Sequence, residues 1–307
     1  MKWVATVADV RRWREGCAEP LGLVPTMGYL HDGHLSLVER ARRENVRVAA
    51  SVFVNPAQFG PGEDLARYPR DRERDRALLE RAGCDLVFAP PAEEVYPGGF
   101  ETFVEVGPTG ARLEGERRPG HFRGVATVVL KLLGIFRPHR AYFGRKDAQQ
   151  LAVLRRVVRD LDVGVELVGC PIVREPDGLA MSSRNGYLDP DERRAATVLF
   201  RALQAGRDAW RGGERDGTAL AAAMRRTLDA EPRARTDYAA VADPETFREL
   251  GHVDGRALLC LAVFIGRTRL IDNLALDGDE PLDGEEVHPP RPGGEVPLPR
   301  REVGSST

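Results

Sequence analysis

The chain has 307 residues, a formal charge of −2 and a pI near 6.4, so its surface is not built mainly to hold nucleic acid. That length supports a sizeable core divided between two domains, one larger than the other. The longest apolar run, "ALLCLAVFIG" (257–266), reaches about half of a bilayer span and reads as a buried strand, and the first residues carry no apolar signal-peptide region.

Short apolar, β-branched runs alternate with helical patterns through the first 175 residues. The runs at 21–26, 46–54, 85–90, 141–144 and 165–173 predict strands, with helices near 34–44, 70–82, 122–136 and 147–161 between them. In the last helix Leu151, Leu154, Val158 and Leu161 fall at helical spacing. Strand and helix in alternation predict a doubly wound parallel sheet, which binds ligands at the carboxyl ends of its strands. After "MSSRNGYL" the pattern changes. A long helix is predicted over 189–210, with Asp189 as N-cap and Pro190 in its first turn, then a second helix near 217–229. Strands follow at 238–243 and 256–274, the latter a hairpin turning at 266–268, so this part is a smaller C-terminal α+β domain. From Leu276 on, Pro, Gly and charge without an apolar period predict a disordered tail. The resulting division is 1–175, 176–275 and a tail at 276–307.

Cys17, Cys84, Cys170 and Cys260 are scattered with no C-x-x-C pair, which argues against a disulfide framework and points to a reducing, cytoplasmic setting. Lys2, Lys131 and Lys146 are the only lysines among 45 basic residues. A compact ammonium where arginine is the rule singles out Lys131 and Lys146.

Five stretches carry polar chemistry, most of them directly after a predicted strand. In "PTMGYLHDGHLSLVERA" (25–41), His31 and His34 sit between a strand end and a helix N-terminus, where backbone N–H groups and the helix dipole favour an anion. Histidines three apart could also ligate a metal, although zinc wants a third protein ligand, so phosphate contact, metal and plain loop polarity stay open on this stretch alone. "SVFVNPAQFGPGEDLARYPR" (51–70) offers the neutral amides of Asn55 and Gln58, suited to a small hydroxylated substrate, and then a Gly- and Pro-rich segment that could gate a site. "RRPGHFRGVATVVLKL" (117–132) gathers Arg117, Arg118, His121 and Arg123 at another helix start, where an anion would offset the unfavourable dipole. "AYFGRKDAQQL" (141–151) places Lys146, Asp147, Gln149 and Gln150 at a strand–helix junction, and "VREPDGLAMSSRNGYL" (173–188) holds Ser182, Ser183 and Arg184 between the domains.

In this order and spacing the five stretches closely resemble the signature blocks of the pantothenate synthetase (pantoate–β-alanine ligase) family, over about residues 1–275. The resemblance implies a Rossmann-like nucleotidyltransferase domain of the HIGH superfamily, a C-terminal lid and a homodimer. It also implies the condensation of ATP, (R)-pantoate and β-alanine to pantothenate, AMP and pyrophosphate through a pantoyl adenylate. On that likeness His31, His34, Lys146 and Arg184 are catalytic. Met27, Gly144, Asp147, Val173, Met181, Ser182 and Ser183 join His34, Lys146 and Arg184 around ATP, Met27 also shaping the neighbouring pocket. Asn55, Gln58, Phe59, Gln150, Arg118 and His121 surround pantoate. Mg²⁺ should accompany ATP, and Asp75 is the candidate metal ligand. Tyr29 stands where the family usually has alanine, and the tail has no counterpart. Rival readings are a related nucleotidyltransferase that keeps its product, a non-catalytic nucleotide-binding regulator, and a structural zinc protein. No partnership with nucleic acid or membrane is expected.

Overall fold

The computed structural model describes residues 1–276, so the predicted tail lies outside the described residues from 277 onward. The elements run β1 (Lys2–Val4), α1 (Val7–Glu15), β2 (Leu21–Thr26), α2 (Asp32–Glu44), β3 (Arg47–Val52), α3 (Arg72–Arg81) and β4 (Leu86–Phe88). Three four-residue helices follow, α4 (Ala92–Val95), α5 (Pro108–Ala111) and α6 (Glu114–Arg117), then α7 (His121–Phe136), β5 (Arg140–Gly144), α8 (Ala148–Asp160) and β6 (Glu166–Cys170). The second part comprises α9 (Pro190–Ala195), α10 (Val198–Arg211), α11 (Gly217–Asp229), β7 (Ala234–Ala242), β8 (Ala257–Ile265) and β9 (Thr268–Leu276).

The first six strands form one parallel sheet in the order β1-β4-β3-β2-β5-β6. Its strands are apolar on both faces, as burial under helices on both sides requires. Leu21, Leu23, Ala49, Leu86, Phe88, Ala141 and Phe143 point to the side of α1, α7 and α8. Val24, Val48, Ala50, Val87 and Tyr142 point to the side of α2 and α3. The last three strands form an antiparallel sheet, β7-β8-β9, whose one face packs on α10 and α11. Its other face meets the first unit, where Ala240, Ala242, Leu258 and Cys260 pack with Leu113 and Ala152.

The hairpin turn falls where the sequence places it, between Ile265 and Thr268, with Gly266 at φ +56°. The helix expected over 189–210 is instead two helices. Short i to i+3 bonds, Thr197 N–H to Arg194 and Leu199 N–H to Ala196, tighten the chain into a separate turn between α9 and α10. The edge strand β1, the helix α1 and the short helices α4–α6 have no counterpart among the sequence expectations. β1 is only three residues long and exists by pairing with β4.

The strand order reverses between β2 and β5, since β3 and β4 are added on one side of β2 while β5 and β6 lie on the other. These two strands pair only at Gly22–Arg140 and Leu23–Ala141 and then part, opening a crevice at their carboxyl ends. Pro25, which can donate no ladder bond, lies beyond the point where β5 stops pairing. A switch point of this kind is where open α/β sheets bind ligands.

Candidate active site

The loop after β2 is shaped by backbone requirements. Gly28 has φ +82°, and Tyr29 also adopts a positive φ of 50°. That turn is held by Asp75 of α3, whose two carboxylate oxygens accept the N–H groups of Tyr29 and Leu30 at 2.8 Å each. Asp75 is buried, spends both oxygens on these N–H groups and does not line the cleft, so it braces the loop and is not placed to ligate a metal there. Its burial pushes its carboxyl upward, against the pull of the two N–H donors. The Asp75→Ala variant should lose about 1–3 kcal/mol of stability by leaving two N–H groups unpaired, measurable by denaturant unfolding.

His31 is the N-cap of α2 and His34 lies in its first turn. Their rings stack at 4.0 Å between centroids, and the His34 Nδ1 accepts the His31 N–H at 3.4 Å. With Nδ1 accepting, the His34 proton sits on Nε2. Gly33 is required between them, because a Cβ there would come within 2.9 Å of the His31 ring. The buried Nδ1 of His31 has no protein partner. Burial lowers both imidazoles, that of His34 to about 4 and that of His31 well below its usual range, and Lys146 adds to each shift. Both rings are therefore neutral near pH 7.

After β3, residues Pro56–Gln58 make one 3₁₀ turn packed against α7. The contact needs Gly124, since a Cβ there would lie 2.2 Å from the Ala57 carbonyl oxygen. Gly124→Ala should cost about 1–3 kcal/mol and displace Gln58, checked by thermal unfolding. Asn55 lines the cleft, but its amide is saturated. Nδ2 donates to Gln58 Oε1 and the Gly124 carbonyl, and Oδ1 accepts from the Ala57 N–H and the Tyr96 hydroxyl. Its geometry orients Gln58, whose remaining amide group lies 3.3 Å from Met27 Sδ.

His121 begins α7 and is bonded on both nitrogens, Nδ1 to the Gln58 carbonyl at 2.9 Å and Nε2 to Arg118 at 3.2 Å. A guanidinium can only donate, so Nε2 accepts and Nδ1 carries the proton. Burial and the Arg118 charge push this imidazole down to about 4. The folded protein therefore binds this proton less readily than the unfolded chain, and stability from the neutral ring is complete above about 6.5 and falls as pH drops toward 4. The free energy of unfolding from denaturant titration should decline over that window by up to about 3 kcal/mol from His121 alone, and His121→Gln should flatten the decline.

Lys146 lies on the 3₁₀ turn Arg145–Asp147 after β5, with its ammonium 3.7 Å from Asp147. The segment from β6 supplies Val173 and Met181, joined by the Met181 N–H to Val173 carbonyl bond, and then the turn Ser183–Tyr187 capped by Ser182. The Ser183 hydroxyl donates to the Tyr29 carbonyl at 3.2 Å, tying this turn to the histidine loop. The Tyr29 ring lies beside Gly186 and under the Arg74 guanidinium, outside the cleft, so its bulk is accommodated between α3 and the 183–187 turn.

Met27, His31, His34, Asn55, Gln58, Arg118, His121, Gly144, Lys146, Asp147, Gln150, Val173, Met181 and residues 182–184 line one cleft. Two expected residues do not, Asp75 and Phe59. Phe59 sits edge-on against Tyr68, and it is Tyr68 that faces the cleft. Tyr68, Ser51 and Thr26 line it without having been expected, and no local pattern marks them. Lys131 is not part of this site, since its ammonium sits 4.4 Å from the Phe100 ring and 5.6 Å from that of Tyr96. The Gly- and Pro-rich segment after Phe59 bonds to two residues of the cleft. Glu63 grips Arg118 with two bonds of 2.7 and 2.8 Å, and Asp64 grips Arg184 with two of 2.9 Å. These partners hold both carboxyls below their usual range despite burial.

The geometry thus brings neutral imidazoles, an ammonium, two guanidiniums and hydroxyls to the switch point of a parallel sheet, where a polyanion would be held. Comparison with known proteins agrees. The sequence profile of the family described as Pantoate-beta-alanine ligase matches residues 2–275. Pantothenate synthetase from Roseiflexus sp. (strain RS-1) is 63% identical over 277 residues, covering 90% of this chain and 100% of that protein. The Thermotoga neapolitana pantothenate synthetase is 52% identical over 279 residues, with 90% and 100% covered. The crystal structure of pantothenate synthetase from Thermus thermophilus superposes with a TM-score of 0.86 at 56% identity, covering 89% of this chain and 99% of that one. Pantoate-beta-alanine ligase from Francisella tularensis, complexed with beta-gamma ATP and beta-alanine, gives 0.74 at 33% identity, with 89% and 97% covered. The chain belongs to the pantoate–β-alanine ligase family, the pantothenate synthetases.

Proposed function

We propose that the cleft activates pantoate as an acyl adenylate and then transfers the pantoyl group to β-alanine. A carboxylate is a poor acyl donor because its leaving group would be oxide. In the first step a pantoate carboxylate oxygen attacks the α-phosphorus of ATP and pyrophosphate leaves. In the second the β-alanine amine attacks the activated carbonyl, loses a proton, and AMP leaves with the electrons of the broken C–O bond. The observation that supports this best is the convergence of His31, His34, Lys146 and Arg184 on one cleft. Neither step needs a protein nucleophile, and among the described residues no histidine is hydrogen-bonded to a serine or cysteine of the cleft.

Charge accumulates on phosphate oxygens in the first step, so the work of the protein is positioning and electrostatic stabilisation. The His34 Nε2–H and the Lys146 ammonium would meet the phosphates, and Arg184 would join them once the anion displaces Asp64. Gln58, Gln150 and Met27 would bound pantoate, with Arg118 and His121 beside it. The donor set does not build a metal cage. Asp75 is bonded to backbone, Asp64 to Arg184, and no cluster of three or more candidate ligands exists among the described residues. Mg²⁺ would therefore enter with ATP, carried on its phosphates. That the Francisella tularensis relative was crystallised with an ATP analogue and β-alanine supports both as ligands here. A homodimer, by family likeness, and a cytoplasmic setting, on four buried free cysteines, complete the reading.

Omitting each substrate in turn tests it. AMP should form only with ATP, pantoate and β-alanine together. Pyrophosphate release without AMP, indifferent to β-alanine, would favour a nucleotidyltransferase that keeps its product.

A further inference from the structure

The second sheet reaches into the site through two adjacent residues of β9. Asp272 and Asn273 are polar yet buried, at 2% and 6% exposure, in the second half of β9 between Ile271 and Leu274. The Asn273 side-chain amide donates to the carbonyls of Arg145 and Lys146 at 3.0 and 2.8 Å. Both hydrogens of one planar NH₂ are thus spent on the two carbonyls that flank the Lys146 Cα–C unit. Asp272 accepts the Arg174 guanidinium through both oxygens, at 2.6 and 3.0 Å, and its Oδ1 also accepts the Asn273 N–H at 2.8 Å. Arg174 further donates to the Asn273 carbonyl at 3.2 Å, in the segment that leads to Met181 and the Ser183–Tyr187 turn.

We propose that Asn273 is a positioning residue for Lys146, fixing the peptide planes on either side of it and so the direction in which its ammonium enters the cleft. The turn Arg145–Asp147 is a single 3₁₀ turn with no side-chain cap at its start, joining β5 to α8. The Asn273 amide, carried on a strand of the three-stranded sheet, adds two bonds to its backbone. Asp272 holds the neighbouring loop from the same strand, so β9 sets the spacing between the Lys146 turn and the loop carrying Arg184. This proposal rests on the adenylating reading above, in which Lys146 meets the phosphates.

The test is pantoate-dependent exchange of labelled pyrophosphate into ATP, measured for the wild type, Asn273→Ala, Asn273→Asp and each combined with Lys146→Ala. Asn273→Ala removes both donors, and the near-isosteric Asn273→Asp sets a carboxylate against two carbonyls. Both should lower exchange kcat by about 10- to 10²-fold, as misplacement of a catalytic group by an ångström does, with a smaller change in KM for ATP and a retained thermal transition. In the Lys146→Ala background the further fall should be under about 3-fold, because residues acting as one unit are not additive. Wild-type kcat in Asn273→Ala, an undiminished fall in the Lys146→Ala background, or failure of both variants to fold would overturn the proposal. A wild-type enzyme without exchange would instead sink the adenylating reading itself.

Discussion

Lys146→Ala should lower the rate of pyrophosphate exchange by about 10²–10³-fold while leaving the fold intact, by analogy with deletion of a preorganised oxyanion donor. Lys146 lines the cleft and belongs to none of the hydrophobic clusters, so its removal should cost little stability. Its effect is electrostatic. Burial depresses both neighbouring imidazoles, and the Lys146 charge adds to the shift of each. Lys146→Arg should recover only part of the activity, because a planar fork on a longer stem does not reproduce a compact ammonium at a phosphate. Unfolding curves beside the exchange rate separate the two effects, and unchanged turnover in Lys146→Ala would remove the residue from the mechanism.

His34→Gln should reduce adenylate formation by about 10²-fold or more at unchanged fold. Glutamine keeps a donor but replaces a rigid ring whose Nδ1 accepts the His31 N–H and whose Nε2–H is thereby presented to the cleft. Loss of that tether also frees His31, whose ring packs on His34 at 4.0 Å. The deficit should appear in exchange turnover, and measured ATP affinity should change less, since the interaction strengthens as charge builds on the phosphate oxygens. Loss of ATP affinity with turnover unchanged would mean that His34 contributes only uniform binding.

The parallel sheet was legible because its strands are apolar on both faces and each ends in glycine, proline or polar residues. The cleft was legible for the same reason, since loops after successive strands of such a sheet meet at one end. What sequence spacing does not show is which polar atoms are already spent. Asn55 reads as a substrate amide, yet its partners Tyr96 and Gly124 lie 41 and 69 positions away. Asp75 reads as a spare carboxylate beside a nucleotide site, yet it is consumed by backbone 45 and 46 positions earlier. Asn273 sits inside a hairpin pattern that says only strand, and its contact with the Lys146 turn arises from how the second sheet docks on the first. The break between α9 and α10 is a matter of two tightened turns that apolar periodicity passes over.

If this cleft activates a carboxylate by adenylation, labelled pyrophosphate should exchange into ATP in the first half-reaction alone. That exchange should require pantoate, proceed without β-alanine and collapse in Lys146→Ala. Exchange that is absent with pantoate, or that appears only when β-alanine is added, would mean that pantoate is not adenylated here.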